Sequence, residues 1–201
     1  IVLKNIKNFL NEPIILRVIK QIKAADIFDK IIISTDSSLI SSIFNSDSDI
    51  ILHQRSPRLS DDCTGTQEVI RNVCIEKNIA DECNVCCIYP TAALITAETL
   101  RQTAKRFDNE DANFLFSVKK FEHPVERGFQ LSDDGFISTQ IRSQKSRTQE
   151  LKPTFHDTGY FYWGKSASWK SRKEIILKGN LVHIYGPLEA FDIDEESDWE
   201  V

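Results

Sequence analysis

The stretch Ile31–Leu52, IIISTDSSLISSIFNSDSDIIL, decides the fold class. Its opening triplet, Ile31-Ile32-Ile33, is β-branched and apolar on both faces, the pattern of a strand buried in a parallel sheet. It runs into Ser34-Thr35-Asp36, residue types that cap a helix, and Leu39, Ile40 and Ile43 continue at helical spacing. Ile50-Ile51-Leu52 then supplies a second strand. Two strands joined through a helix read as a crossover, hence a parallel pair.

The same rhythm extends in both directions. Upstream, Ile15, Val18, Ile19 and Ile22 form one face of a helix that begins after Pro13. Downstream, Gly65 or Thr66 opens a helix carrying Ile70, Val73 and Cys74, and Val85–Tyr89 is a strand stopped by Pro90. Thr96 caps a helix through Phe107, Phe114–Val118 is a further strand, and Leu181–Tyr185 is the last. The expectation is an α/β fold with a mostly parallel sheet in a single domain, 1–201. After Val118 the chain turns polar, with a turn at Asp133-Asp134-Gly135; segment 119–160 reads as a small antiparallel insertion or arm.

Composition bounds the function. The 201 residues are 41% hydrophobic and 27% charged, values of a globular chain. The longest apolar run, Val85–Tyr89, is far below the roughly 20 residues of a membrane helix. A net charge of −5 argues against nucleic acid or an anionic membrane as partner. Five cysteines, an odd number, include only a lone Cys83-x-x-Cys86 with no second pair or suitably spaced histidine pair for zinc, so a reducing cytoplasm is expected. Methionine is absent, position 1 included, so the translated start is expected upstream.

Ligands of open α/β sheets bind beyond the carboxyl ends of the strands. That rule selects Ser34-Thr35-Asp36, Arg55, Ser60-Asp61-Asp62, Pro90-Thr91 and Asp192-Ile193-Asp194. In an extended stretch Asp192 and Asp194 point the same way, a pair suited to Mg²⁺ with phosphates. The same Asp-x-Asp is also the pattern of a solvated helix cap, and Ser60-Asp61-Asp62 that of a cap for the next helix. His156-Asp157 reads either as a general-base pair or as a structural hydrogen-bonding histidine. No Walker loop, dinucleotide fingerprint or nucleophile elbow occurs.

Seven fragments in order carry the reading further. They are Lys4-Asn5-Ile6, Ile32-Ile33-Ser34-Thr35-Asp36, Arg55-x-x-x-Leu59-Ser60-Asp61-Asp62 and Ile88-Tyr89-Pro90-Thr91-Ala92. Phe114-x-Phe116-Ser117-Val118, Arg147-Thr148-Gln149-Glu150-Leu151 and Asp192-Ile193-Asp194 before Asp198-Trp199 complete the set. In this order the chain resembles the acylneuraminate cytidylyltransferases, which activate nine-carbon acidic sugars. Cys86–Thr91 and His156-Asp157-x-Gly159-x-Phe161-Tyr162-Trp163 look like the pseudaminic acid branch; sialic acid enzymes typically carry Gln at the place of Tyr89 and Asn-Gly at Thr158-Gly159.

The resemblance implies a three-layer, Rossmann-like fold of the nucleotide-diphospho-sugar transferase type. It also implies CMP transfer from CTP to the sugar's anomeric hydroxyl with release of pyrophosphate; sialic or legionaminic acid, or a non-catalytic nucleotide-binding relative, are the alternatives. Lys4, Asp192 and Asp194 would then be catalytic, the two aspartates holding Mg²⁺ or alternatively Mn²⁺. Asn5, Arg55, Thr66, Pro90 and Thr91 would bind the nucleotide, and Tyr89, Arg127, Arg147, His156 and Asp157 the sugar. The family builds its sugar pocket and homodimer contact in the insertion. It opens with a strand and a loop of the type A-R-x-G-S-K-x-I; Ile1 matches the end of that motif, so the strand and its phosphate-gripping arginine are expected ahead of it.

Overall fold

The structure is a computed structural model that describes residues 1, 3–61, 63–140 and 151–200, the side chain of residue 140 excepted. A short antiparallel pair, β1 (Asn8–Phe9) and β2 (Glu12–Pro13), leads into helix α1 (Ile14–Ala25). Six buried side chains lie along one face of α1, from Ile14 to Ala25, so burial of a single stripe holds the helix down. Strand β3 (Ile31–Thr35), helix α2 (Ser38–Phe44) and strand β4 (Ile50–Gln54) follow as the parallel unit expected from their sequence. The α2 cap is Ser37, whose hydroxyl accepts the Ile40 N–H.

Helix α3 (Thr66–Glu76), strand β5 (Asn84–Ile88), helix α4 (Ala97–Asn109) and strand β6 (Phe114–Lys120) continue the alternation. Thr96 caps α4 through the Thr99 N–H at 3.1 Å. A hairpin of β7 (Phe129–Leu131) and β8 (Ile137–Gln140) turns through Gly135 at φ 85°. Beyond it come β9 (Phe155–Lys165), the short helix α5 (Ser166–Lys170) and β10 (Leu181–Tyr185). The main sheet has the order β10-β6-β9-β5, in which β9 alone runs against its neighbours. Among the described residues no helix is long and apolar enough to cross a membrane.

Alternation along β6 and β9 divides the core into two layers. Leu115, Phe161 and Trp163 pack with the buried faces of α1 and α4, whereas Phe114, Phe116 and Tyr162 pack with Cys74 of α3 and Trp169 of α5. The segment read as an insertion is shorter than expected. Strand β9 starts at Phe155 and lies in the centre of the sheet, so the last residues of 119–160 belong to the core. A long polar stretch precedes Phe155, which is why pattern alone placed the boundary late.

Between β3 and β5 the sheet is interrupted. The two edges line a cleft of about 440 Å³, with Ile15, Val18 and Ile22 of α1 on one face and Val69 and Ile70 of α3 on the other. Every residue from Ile31 to Thr35 and from Cys86 to Ile88 borders it. This brings backbone edges as well as side chains to the cleft. Burial pushes the Cys86 thiol well above its ordinary range and the Cys87 thiol up to about 12, so both are packing groups rather than nucleophiles.

Candidate functional site

The cleft becomes polar at the carboxyl ends of β3 and β5, where the chain leaves the sheet. Lys4, Asn5, Thr35, Arg55, Thr66 and Thr91 gather there. The Arg55 N–H donates to Thr35 O at 2.9 Å, which ties the loop after β4 to the end of β3. The Arg55 guanidinium stands 3.7 Å from Asp36, and its Nε is buried without a hydrogen-bond partner among the described residues. A buried donor of that kind is costly to leave unpaired and suits an incoming anion or carbonyl. Thr66, in the first turn of α3, bonds its hydroxyl to that of Tyr89. Behind these, His53 bridges Ser34 at 2.9 Å and Glu76 at 3.1 Å, fixing β3, β4 and α3 together.

A second cavity of about 290 Å³ adjoins the first and shares Lys4, Tyr89 and Thr91 with it. Its remaining lining is Asp157, Gly159, Tyr162, Asp192 and Asp194. Two ends of the chain meet here. Lys4 Nζ donates to Ile193 O at 2.5 Å and to Asp194 Oδ1 at 3.2 Å. The Asp198 carboxylate accepts the Asp194 and Glu195 N–H groups at 2.9 and 2.7 Å, and those bonds hold its pKa below the ordinary carboxylate range. The acidic helix start after Asp194 is therefore a real cap, but its work is done by Asp198 and Glu195, leaving Asp192 and Asp194 facing the cavity.

Burial, and next the charge of Asp194, raises the Asp192 pKa above its ordinary value. Asp157 reaches the cavity through an irregularity in β9. Register with β6 shifts between Phe116 and Val118, and the extra β9 residues form a bulge. The buried Ser117 hydroxyl clamps the bulge, accepting from Thr158 Oγ1 at 2.8 Å and from the Phe161 N–H at 3.2 Å. Gly159 sits in the bulge at φ 64°, and a Cβ there would lie 3.5 Å from Asp192 Oδ1. Glycine serves both needs, the left-handed backbone and the open cavity.

The structure thus brings together Lys4, Asn5, Arg55, Thr66, Tyr89, Pro90 and Thr91 around the first cavity and Asp157, Asp192 and Asp194 with Lys4 around the second. Among the described residues, Arg127 and His156 border neither cavity. Of the two readings of His156-Asp157, a general-base pair or a structural hydrogen-bonding histidine, the structure has the second. His156 Nδ1 pairs with the backbone carbonyl of Asp157 at 2.9 Å, because neighbours on a strand point to opposite faces, and its ring packs on Phe121 at 4.8 Å. Arg147 and Asp62 lie outside the described residues. Asp61 caps no helix; it accepts the Cys63 and Thr64 N–H groups in a turn, and Gly65 precedes α3. Tyr162 and Gly159 are the lining residues that the chemistry-by-type reading left unassigned, although the aromatic motif contains both.

Metal capacity follows from this set. Among the described residues no cluster of three or more His, Cys, Asp and Glu could hold an ion alone. Two carboxylates in a cavity that adjoins a cleft bordered by Lys4 and Arg55 do fit Mg²⁺, which binds one or two carboxylates and takes its other ligands from phosphate and water.

Known proteins resemble this chain in both sequence and fold. Residues 1–184 match the family model described as cytidylyltransferase. The pseudaminic acid cytidylyltransferase of Campylobacter jejuni serotype O:2 is 31% identical over 202 residues, 98% of this chain and 86% of that protein. N-acylneuraminate cytidylyltransferase B of Danio rerio is 25% identical over 99% of this chain and 46% of its own. By fold, the chain is similar to a 4-diphosphocytidyl-2C-methyl-D-erythritol synthase, with a TM-score of 0.71 at 10% identity over 97% of this chain and 90% of that one. A CMP:2-keto-3-deoxy-manno-octonic acid synthetase solved with CTP gives 0.59 at 11% identity over 86% and 73%. At such identities the structures speak for the fold, a cytidylyltransferase-type α/β sheet; the sequence match across most of the chain goes further, and this protein belongs to the cytidylyltransferase family.

Proposed function

We propose that the protein transfers CMP from CTP to the anomeric hydroxyl of a nine-carbon acidic sugar, pseudaminic acid before sialic acid, and releases pyrophosphate. The observation that carries this is the seam between the two cavities, where Lys4, Tyr89 and Thr91 border both. The cleft with Arg55 and Thr66 takes the nucleotide, and the acidic cavity takes the sugar's reacting end. The displacement at the α-phosphate then falls at the seam, and positioning with charge neutralisation supplies most of the catalysis. Lys4 places its ammonium against the transferring group, steadied by Ile193 O and Asp194. Asp192 and Asp194 hold Mg²⁺, which supplies neutralisation of phosphate charge when bound. The preference for pseudaminic acid rests on the Campylobacter relative and on Tyr89, whose hydroxyl is fixed on Thr66 beside the sugar cavity.

Three further parts belong to the same proposal. The interrupted sheet takes one more strand between β3 and β5, whose carboxyl end delivers a loop to the phosphates. The cleft's apolar walls and its two edges, unpaired among the described residues, support this. The β7–β8 hairpin exposes Phe129, Leu131, Phe136 and Ile137, a surface suited to a second copy in a homodimer. Five cysteines without a disulfide suit a reducing cytoplasm. The test is pyrophosphate release by the full-length protein with CTP, Mg²⁺ and pseudaminic, N-acetylneuraminic or legionaminic acid in parallel. Fastest turnover of pseudaminic acid is expected. Preference for either other sugar overturns the assigned substrate, and nucleotide binding without pyrophosphate release overturns the reaction.

A further inference from the structure

Tyr162 lies on β9 between the layers, stacked on Phe116 at a centroid distance of 6.2 Å and an interplanar angle of 16°. Its ring is buried, but its hydroxyl reaches the acidic cavity and donates to Asp157 Oδ2 at 2.6 Å. The other carboxylate oxygen, Oδ1, accepts the Gly159 N–H at 2.8 Å. Asp157 is therefore gripped at both oxygens. Such a grip has a physical reason. Asp157 shares a small cavity with Asp192 and Asp194, and a carboxylate held by neither bond would be free to rotate out of it toward solvent. Gly159, two residues on from Asp157, presents no side chain to Asp192, whose Oδ1 would lie 3.5 Å from a Cβ there.

We infer that Tyr162 is a positioning residue for the acceptor: it locks the Asp157 carboxylate in the cavity as a fixed acceptor for a hydroxyl or amide N–H of the acidic sugar. Each carboxylate oxygen keeps a free lone pair after its internal bond, so Asp157 reads a donor while staying in place. The phenol is suited to this role because burial, and then the Asp157 carboxylate itself, keeps it protonated and donating. The ring cannot follow a displaced Asp157, since Phe116 on one side and Tyr89, at 6.0 Å, on the other confine it. Tyr162 lines the acidic cavity and not the nucleotide cleft, so its effect is directed mainly to one substrate. The inference rests on the reading of the second cavity as the sugar site.

The test compares full-length wild type, Tyr162→Phe, Asp157→Asn and the double variant in steady-state pyrophosphate release, with thermal melts of each. Loss of one charge-assisted hydrogen bond is expected to raise the sugar KM of Tyr162→Phe about tenfold, with the CTP KM within about twofold of wild type. Because Tyr162 acts through Asp157, the double variant is expected to match Asp157→Asn alone. A CTP KM that rises in step, additive losses in the double variant, an unchanged sugar KM, or a Tyr162→Phe chain that fails to fold each overturns the assignment. With normal wild-type turnover, those results leave the reaction standing. Wild type that turns over none of the acidic sugars overturns both.

Discussion

Asp192→Asn separates what the acidic cavity costs the fold from what it contributes to the reaction. In the metal-free protein Asp192 is partly buried, and Asp194 two residues along points into the same cavity. Side chains two residues apart on an extended segment lie roughly 7 Å apart. At that separation, with an effective dielectric between about 20 at a protein surface and about 80 in water, two carboxylates repel by about 0.6–2.4 kcal/mol. Lys4, at 3.2 Å from Asp194, offsets part of this. The neutral amide is therefore expected to stabilise the metal-free protein by about 0.5–1 kcal/mol, a rise in Tm of about 1–3 °C for a chain of this size. The pH dependence has a definite sign. A carboxylate whose folded pKa is raised holds its proton more tightly folded than unfolded, so its destabilising effect is absent at acid pH and sets in as pH rises through the raised value. The Tm difference between variant and wild type should close near pH 4 and be full at pH 7. The assay is differential scanning fluorimetry in EDTA across that range, repeated with Mg²⁺ and CTP. There the order reverses: ligand stabilises wild type and fails to stabilise the variant, whose turnover falls at least about a hundredfold, the scale expected when a metal-held charge clamp is lost. A variant less stable than wild type in EDTA at pH 7, or one that gains as much from Mg²⁺ and CTP, refutes the placement of Asp192.

Two further outcomes test the cleft and the core. Arg55→Ala removes the guanidinium whose Nε is buried without a partner, and should raise the CTP KM about 10- to 100-fold while leaving the sugar KM nearly unchanged; equal effects on both would put Arg55 outside the nucleotide cleft. Gly164→Ala places a Cβ 2.6 Å from the Phe114 ring and 2.8 Å from Trp169 Nε1, in the middle of the layer formed by α3, α5 and the sheet. Overpacking there should cost about 1–3 kcal/mol, a Tm loss of about 3–10 °C, and an unchanged melt would show that the aromatic pair yields more easily than its burial implies.

Much of this molecule is written locally. The Ile31–Leu52 stretch forms a parallel βαβ unit because its apolar runs and its Ser37 cap need no distant partner to be recognised. The order of fragments from Lys4-Asn5 to Asp192-Ile193-Asp194 likewise pointed to a cytidylyltransferase. What the sequence could not supply was direction and reach. His156 and Asp157 are adjacent in the chain and look like a pair, yet the pleat sends them to opposite faces, and only one enters the cavity. The start of strand β9 looked like the end of an insertion, but its antiparallel pairing with β5 and β6 makes it an inner strand of the sheet, since strand order depends on non-local hydrogen bonds that no local pattern encodes. Tyr162 read as one aromatic among several until the bulge beside Ser117 brought Asp157 under its hydroxyl. Residue types and their order determined the chemistry available to this protein; the pleat, the bulge and the pairing of distant strands decided which of those groups meet, because contact across a sheet is a property of register rather than of sequence spacing.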